Sequence, residues 1–482
     1  MLGQFISNQL QVSEDHRLTG WLFLKLLALI YFAAFASIAV QITGLVGPDG
    51  ILPFTQQLDF ARQQHSHSAF FYLPSLFWLS ASDLALQGVA WAGCLFSLAL
   101  LFGLRQRLML VLLFVCYLSI FHAGQIFLSF QWDSLLLEAG LLSVFLVGGP
   151  SRLLVFLFHW LLFRLRFMSG VSKLSSGDPS WADFTALNYY FETQPLPHVG
   201  SWYFHQLPEC IHQAGVLLVF FTELVVPFFI FLPRRFRLFA AGMTLLMQLL
   251  VIASSNHNWI NLLTIALCLF LLDDRIVERI LPTRYRNRAT AFCSKKINYL
   301  LPGFAVIILS TSLTVFYSMA THRTLPDPVS RATWLVRSWG IGHIFHVFPT
   351  IQTERQEFQI EGSYDGRTWK AYQFRYKPGP LDRRPEFIIP HQPRLDWMIW
   401  FVPPQVPELT GWFDLFLERL RQGSPRVLAL MAYNPFPDRP PRYLRVQVFR
   451  YKFTTAKERR ESGNWWKYRY LGLYPYVRPR RP

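Results

Sequence analysis

Long apolar runs dominate the first two thirds of the chain. Nine of them approach the twenty or so residues that cross a bilayer as a helix. They cover residues 21–43, 85–104, 107–124, 126–147, 152–174, 212–232, 236–253, 258–272 and 299–320. We therefore predict a polytopic α-helical membrane bundle of about nine spans over residues 1–320.

The pattern changes after Thr321 to short alternating runs, which are typical of strands. The stretch RQEFQIEGSYDGRTWKAYQFRYKPG predicts two strands joined by a turn at Asp365 and Gly366. A further strand is predicted by RYLRVQVFRYKFTT, and WFDLFLERLRQG predicts an amphipathic helix that ends at Gly423. Residues 321–482 are therefore predicted to form a C-terminal extramembrane domain that resembles a β-sandwich.

Composition and charge favour a membrane protein with a soluble part. The 482 residues are 52% hydrophobic and 16% charged, and the formal net charge is +17. Basic residues flank the predicted spans on one side, at Arg105, Arg107, Arg152, Arg234, Arg235, Arg237 and in the cluster 275–296. By the positive-inside rule the N-terminus is cytosolic and the C-terminal domain lies outside the cytosol. The membrane is then the endoplasmic reticulum membrane of a eukaryote or the inner membrane of a bacterium.

The chain lacks the sequence signals of several other classes of site. Its five cysteines form no CxxC pair and no His/Cys spacing, which predicts neither a metal site nor a disulfide framework. There is also no P-loop and no GxGxxG motif, so no cofactor is expected. From Thr321 onwards, the chain has 27 Lys and Arg residues and 14 Asp and Glu residues. That excess suits anionic lipid headgroups or an acidic partner, or it is a solvated face. Nucleic acid is not an expected partner.

Charged side chains inside the apolar runs are costly in lipid, so they face protein or a cavity. We predict a polar network within the bundle, formed by Gln131, Asp133, Glu138, Arg164, Arg166 and Lys173. Helical rise places Glu138 and Arg164 at similar depth, so Glu138 is expected to pair with Arg164 or Arg166. Lys173 has two interpretations: a ligand-binding or proton-transfer lysine, or an interfacial lysine that reaches the headgroups.

Two groups of residues are candidates for recognition. At the outer ends of the spans, polar residues that include Asp178, Trp181 and Glu192 are expected to line an outward-facing cavity. In the outer domain, FIIPHQPRLDWMIWF holds His391, Gln392, Arg394, Asp396 and Trp397 between apolar flanks. This segment is either a docking patch or a structural turn with an Arg394–Asp396 pair, because unpaired burial is costly. If it is a docking patch, charge reversal at Arg394 reduces recovery of the partner and leaves this protein intact.

Five segments together resemble the lipase maturation factor family. They are FQWDSLLLEAG, SGDPSWADFTALNYYFETQPLPHVGSWYFHQLP, NHNWINLLTIALCLFLLDD, IEGSYDGRTWKAYQFRYKPG and PHQPRLDW. The resemblance implies a membrane-bound maturation or folding factor for exported proteins rather than an enzyme. It implies dimeric secreted lipases as clients, contacted by the C-terminal domain. The segment 340–351, GIGHIFHVFPTI, departs from the Asn-Thr-Tyr-Gly-Leu-Phe-like sequence typical of the family.

A more distant likeness is confined to one helix. The segment SGVSKLSSGDPSW resembles part of the vitamin K-dependent carboxylase superfamily. That likeness implies a membrane enzyme in which Lys173 is the catalytic base, and a lipid-binding bundle is a third alternative. Loss of an activity on Lys173→Ala favours the enzyme, whereas binding of a client lipase favours the maturation factor.

Overall fold

The computed structural model describes residues 9–11, 13–283, 299–321, 323–403 and 410–475. Most of the basic cluster 275–296, with Cys293, lies outside the described residues. The bundle consists of α1 (Arg17–Ala39), α2 (Asp83–Phe102), α3 (Gln106–Ala123), α4 (Gln131–Leu146), α5 (Arg152–Ser175), α6 (Glu209–Phe231), α7 (Arg234–Ser254), α8 (Ile260–Leu271) and α9 (Leu301–Thr321). Shorter helices connect them at Ile42–Val46, Phe54–His65, Ala186–Thr193, Val199–His205 and Asp274–Ile280.

The predicted number of nine spans is not confirmed. Among the described residues, seven helices are long and apolar enough to cross a membrane, and α4 and α8 are shorter. The α4 helix has 16 residues, and twelve of these, including Asp133 and Glu138, are buried. A helix enclosed by protein in this way is not required to match the thickness of the lipid.

Glycines let the central helices approach one another closely. Gly93 of α2 lies against the ring of Phe35, and Gly140 of α4 lies against the hydroxyl of Tyr31. A Cβ atom at either glycine would overlap the aromatic side chain of α1. Small residues commonly permit such close packing between membrane helices, so α2 and α4 both pack closely on α1.

The two ends of the bundle have different neighbours. At one end, Arg107 donates to the carbonyl of Val147 at 2.6 Å, and Arg234 pairs with Asp273. The other end contacts the C-terminal domain. The arginines used to predict orientation therefore lie at the end remote from that domain, although the orientation itself stays a prediction.

The C-terminal domain contains one antiparallel sheet, β1 (Arg355–Ser363), β2 (Lys370–Ala371), β3 (Tyr443–Phe453) and β4 (Trp466–Leu473), in the order β2-β1-β3-β4. Its helices are α10 (Asp327–Ser338), α11 (Arg394–Ile399), α12 (Gly411–Gln422) and α13 (Ala456–Ser462). The predicted turn is confirmed, because the Asp365 carboxylate accepts the N–H groups of Arg367 and Thr368 at 2.8 Å. The predicted end of α12 at Gly423, which has a φ of 70°, is also confirmed.

The expected β-sandwich is wrong for the residues that the structure describes, since they form a single sheet. The long connection between β2 and β3 is rich in proline, which cannot donate a ladder hydrogen bond. It forms short helices instead of a second sheet. Phe413 of α12 packs on Phe358 of β1, with 5.5 Å between ring centroids. The division between residues 320 and 321 stays a prediction.

Candidate functional site

Charged side chains are buried where the C-terminal domain meets the bundle. Asp133, Glu138 and Arg164 have no exposed surface, and Arg394 is 1% exposed. Buried charges are tolerated only when they are paired and hydrogen-bonded. The partners of these four side chains therefore determine how the two parts of the chain fit together.

Asp133, at the start of α4, forms a bidentate ion pair with Arg394, at the start of α11. Each carboxylate oxygen accepts a guanidinium N–H group at 2.7 Å. The Tyr117 hydroxyl donates to the same carboxylate at 2.6 Å, and Arg394 also donates to the Phe127 carbonyl at 3.0 Å. A planar guanidinium fits a carboxylate well in this geometry. The pair fixes α11 against α3 and α4.

The residues before Arg394 extend this contact to α1. The backbone N–H of Gln392 donates to the Ser37 hydroxyl at 2.9 Å, and its carbonyl accepts from the Gln41 amide at 3.0 Å. The Gln392 side-chain oxygen accepts from Asn258 at 3.0 Å. His391 Nδ1 lies 2.9 Å from the Ser37 hydroxyl. Backbone and side chain of the segment are thus both held by the bundle.

The prediction of a docking patch in this segment stays a prediction, but the structure buries most of the segment. Four of its five members are buried, with exposed fractions of 1% for Gln392, 1% for Arg394, 3% for Asp396 and 4% for Trp397, and His391 is partly buried. Gln392 and Arg394 have partners on the bundle, whereas Phe387, in the apolar flank before them, is 54% exposed. Any role of these residues in client binding stays untested, but direct contact needs a surface other than this one.

The expected Arg394–Asp396 pair is also wrong. Arg394 pairs with the bundle, whereas Asp396 accepts the backbone N–H groups of Tyr376 at 2.7 Å and Lys377 at 3.0 Å. Burial raises the pKa of Asp396, although these two hydrogen bonds act in the opposite direction. Asp396 therefore stabilises the loop that follows β2.

The segment 340–351, between α10 and β1, enters the same end of the bundle. Glu138 and Arg164 are paired, which confirms the sequence prediction. The second Glu138 oxygen accepts the backbone N–H of Gly342 at 3.0 Å. The Arg164 guanidinium lies 5.6 Å from the ring centroid of Phe345. The predicted pair is therefore enclosed by this segment.

Three further predicted residues bind backbone groups of the segment 340–351. Lys173 donates to one of its carbonyls at 2.8 Å, and Gln131 donates to another. Asp178 accepts one of its N–H groups at 2.6 Å. These contacts place Lys173, Gln131 and Asp178 around one irregular segment of the chain. The sequence analysis predicts the first two in the polar network of the bundle and the third at the outer ends of the spans.

Glu223 links the two other cations of the predicted network. Its carboxylate lies 2.8 Å from Lys173 and 3.6 Å from Arg166. Lys173 also donates to the Ser169 carbonyl at 3.3 Å, so three acceptors surround its three N–H bonds. The interfacial interpretation of Lys173 is wrong, because the residue is 5% exposed and lies inside the protein. This environment suits a fixed ammonium ion and lends no support to a catalytic base.

Trp181 lies beside Lys173, and Glu192 lies beside the end of β3. The Lys173 ammonium is 5.3 Å from the centroid of Trp181, which is buried. Glu192 accepts the backbone N–H of Phe453 at 2.6 Å, at the end of β3. Burial raises the pKa of Glu192. Glu192 thus holds the helix Ala186–Thr193 against the sheet.

Sequence reasoning missed Arg355, which is 2% exposed. It donates to the carbonyls of Glu192 at 3.1 Å and Pro195 at 3.0 Å, and it pairs with Glu357 at 2.5 Å. The signal was present, since Arg355 and Glu357 are two residues apart and therefore share one face of the predicted strand. The loop that receives Arg355 could not be inferred from that spacing.

A cavity of about 370 Å³ lies among α5, α6, α7 and α8, in the half of the bundle nearer the C-terminal domain. Arg166, Lys173 and Glu223 lie along one part of its wall, and most of the remaining lining is apolar. The lining residues Leu207 and Ile211, near the start of α6, are exposed. The cavity therefore opens at the flank of the bundle. Of Asp178, Trp181 and Glu192, which were expected to line an outward-facing cavity, Trp181 lines this one and the other two do not.

Two family models match this chain. One is described as the lipase maturation factor transmembrane domain and matches residues 18–279, which is more than half of the chain. The chain belongs to the lipase maturation factor family. The family's C-terminal domain model matches residues 341–475. Asp133 and Arg394 therefore belong to different matched regions, and their ion pair joins the two domains of this family member.

Named relatives extend the family match over nearly the whole chain. Lipase maturation factor 2 of Xenopus laevis is 33% identical, covering 95% of this chain and 82% of the relative. Lipase maturation factor 1 of Bos taurus is 31% identical, covering 95% of this chain and 88% of the relative. Lipase maturation factor 2 of Homo sapiens is 31% identical, covering 94% of this chain and 81% of the relative. No solved structure matches the chain.

Proposed function

We propose that this integral membrane protein is a maturation factor for exported lipases. The proposal is supported chiefly by the similarity to the Xenopus laevis relative, which covers 95% of the chain at 33% identity. The similarity includes the C-terminal domain as well as the spans, so it is not a general likeness between apolar helices. The buried contacts that join the two domains suit a protein that works as a single unit.

The test is secretion of active lipase from cells that lack their own lipase maturation factors. A lipase is expressed with or without this protein, and active secreted enzyme is measured per amount of lipase synthesised. We expect the protein to raise that yield at least severalfold. A secreted reporter that is not a lipase serves as control. Equal yields with and without the protein, at confirmed expression, contradict the proposal.

We also propose that the N-terminus is cytosolic and that the C-terminal domain lies outside the cytosol. The support is the position of Arg107 and Arg234 at the bundle end remote from the C-terminal domain. The membrane is that of the endoplasmic reticulum in a eukaryote or the inner membrane in a bacterium. Protease added to intact cytosol-side-out vesicles is expected to spare the C-terminal domain. Its digestion before detergent is added contradicts the orientation.

Client contact is proposed at the outer edge of the sheet, because the segment 391–397 is buried. Within the described residues, β4 pairs on one side only, with β3. Tyr468 and Tyr470 on β4 are 53% and 51% exposed, and the neighbouring Lys467 and Arg469 are exposed as well. An unpaired strand edge with aromatic side chains is a common site for adding an extended segment of another protein.

The matched experiment compares Tyr470→Glu with Tyr433→Glu. Both tyrosines are about half exposed, at 51% and 53%, but Tyr433 lies away from β4. We expect Tyr470→Glu to reduce lipase yield and recovery of lipase with the purified protein, while Tyr433→Glu leaves both unchanged. Equal effects of the two variants, at equal protein levels, contradict contact at this edge.

A further inference from the structure

The cavity in the bundle combines an apolar wall with hydrogen-bond donors that lack acceptors. Arg166 Nε, Trp181 Nε1 and Asn261 Nδ2 are buried, and no acceptor for them exists within the part of the chain that the structure describes. All three residues line the cavity, and their exposed fractions are 8%, 4% and 3%. Buried donors without acceptors are costly and uncommon. The cavity therefore suits a ligand whose polar end supplies acceptor oxygens.

The charges along the cavity indicate the sign of that polar end. Among the described lining residues, Arg166 and Lys173 are cationic and Glu223 alone is anionic. Lys173 lies 2.8 Å and Arg166 3.6 Å from Glu223, so one positive charge is left without a counterion. A ligand with a single negative charge neutralises that excess in a low-dielectric site.

The opening and the size of the cavity indicate the rest of the ligand. Its exposed lining residues Leu207 and Ile211 are on or beside α6, a helix long and apolar enough to span the membrane. An opening at the end of such a helix suits entry of a lipid tail from the bilayer. At about 370 Å³, the cavity is near the lower limit of roughly 300–1,000 Å³ for small-molecule sites. That volume favours one acyl chain over two.

We propose that this cavity binds one long-chain fatty acid from the bilayer, with its carboxylate at Arg166, Trp181 and Asn261. A carboxylate has two oxygens with about four lone-pair sites, so it accepts from more than one donor at once. Glu223 keeps Lys173 and Arg166 in place without cancelling their combined charge. The proposal is independent of the lipase client, because it concerns the resting protein in its membrane.

The test is binding of tritiated palmitate to the full-length protein in nanodiscs of neutral phosphatidylcholine. Unlabelled palmitate competes, whereas 1-hexadecanol, which has an equal chain and no charge, competes about tenfold or more weakly. Equal competition by the two compounds overturns the proposed role of the carboxylate. No lipase is present, so the result is separate from the test of the maturation role.

Three variants test the polar and the apolar parts of the cavity. Arg166→Gln is expected to weaken palmitate binding about tenfold or more, and Trp181→Phe, which removes only the indole N–H, about threefold to tenfold. Ala214→Trp fills the apolar part of the cavity and is expected to abolish binding. The control Trp91→Phe changes a half-exposed tryptophan on α2 that does not line this cavity.

Arg166→Gln also removes the contact with Glu223. If this variant lowers the protein yield, the test is decided by the other two variants. Trp181→Phe and Ala214→Trp leave every charge in place. If both bind palmitate as tightly as the Trp91→Phe control does, the fatty acid does not occupy this cavity and the proposal fails.

Discussion

Neutralising Asp133 is expected to loosen the C-terminal domain from the membrane bundle. The Asp133→Asn variant leaves the guanidinium of Arg394, which is 1% exposed, without an anion. Removing one partner of a buried ion pair costs about 3–5 kcal/mol, whereas an exposed pair contributes about 0–1 kcal/mol. This pair belongs to the first class, because both side chains are buried and both contacts are 2.7 Å long.

Charge reversal at Arg394 is expected to cost still more. Arg394→Glu places a second carboxylate against Asp133 in a site that excludes water. The sequence-based expectation was that this variant loses client recovery while the protein stays intact. The structure reverses that expectation, so a lower lipase yield with Arg394→Glu reports damage to the protein itself.

The assay is thermal unfolding of the detergent-purified full-length protein, followed by tryptophan fluorescence. The matched control is Glu418→Gln, which breaks an ion pair with Arg421 whose side chains are 40% and 55% exposed. Asp133→Asn is expected to unfold at a clearly lower temperature than the control. The double variant Asp133→Leu/Arg394→Met, which removes both charges, is expected to recover much of the loss.

Two results refute this reasoning. If Asp133→Asn unfolds at the same temperature as Glu418→Gln, the buried pair does not hold the two domains together. If the double variant is as unstable as the two single variants combined, the cost comes from lost packing rather than from an unpaired charge.

Three other predictions follow from the same interface. Gly342→Ala is expected to destabilise the protein by about 1–3 kcal/mol, since Gly342 has a φ of 69° and a Cβ would lie 2.6 Å from Thr311. The control in the same thermal assay is Gly379→Ala, because a Cβ at Gly379 would have no neighbour within 4 Å. Burial, helped by the charges of Arg394 and Arg375, lowers the pKa of His391 to about 4. Its neutral form therefore stabilises the fold above pH 6.5, and that contribution is lost as the pH falls towards 4. His391→Gln is expected to flatten the pH dependence of unfolding in this window. Glu223→Gln is expected to cost about 3–5 kcal/mol, because Lys173 and Arg166 lose their shared anion, and the exposed Glu461→Gln is expected to change the unfolding temperature little.

The sequence predicted the helices and one of the buried pairs, for reasons of local geometry. Helical rise alone placed Glu138 at the depth of Arg164, because a short turn joins their two helices. Arg394 could not be placed in the same way, since its partner Asp133 is 261 residues away in the chain. Local pattern indicates that Arg394 needs an anion, and the nearest one in the sequence is Asp396.

The segment 340–351 makes buried contacts with the bundle although its sequence departs from the one typical of the family. Lys173 and Gln131 bind its carbonyl groups, while Glu138 and Asp178 accept its N–H groups. These four bundle and loop residues therefore recognise main-chain atoms, which every amino acid supplies except proline, whose backbone has no N–H. Gly340 and Gly342 are constrained by their own identity, through their positive φ of 78° and 69°. Changes of side chain in this segment are thus expected to alter its packing while the buried charges of the bundle keep their partners.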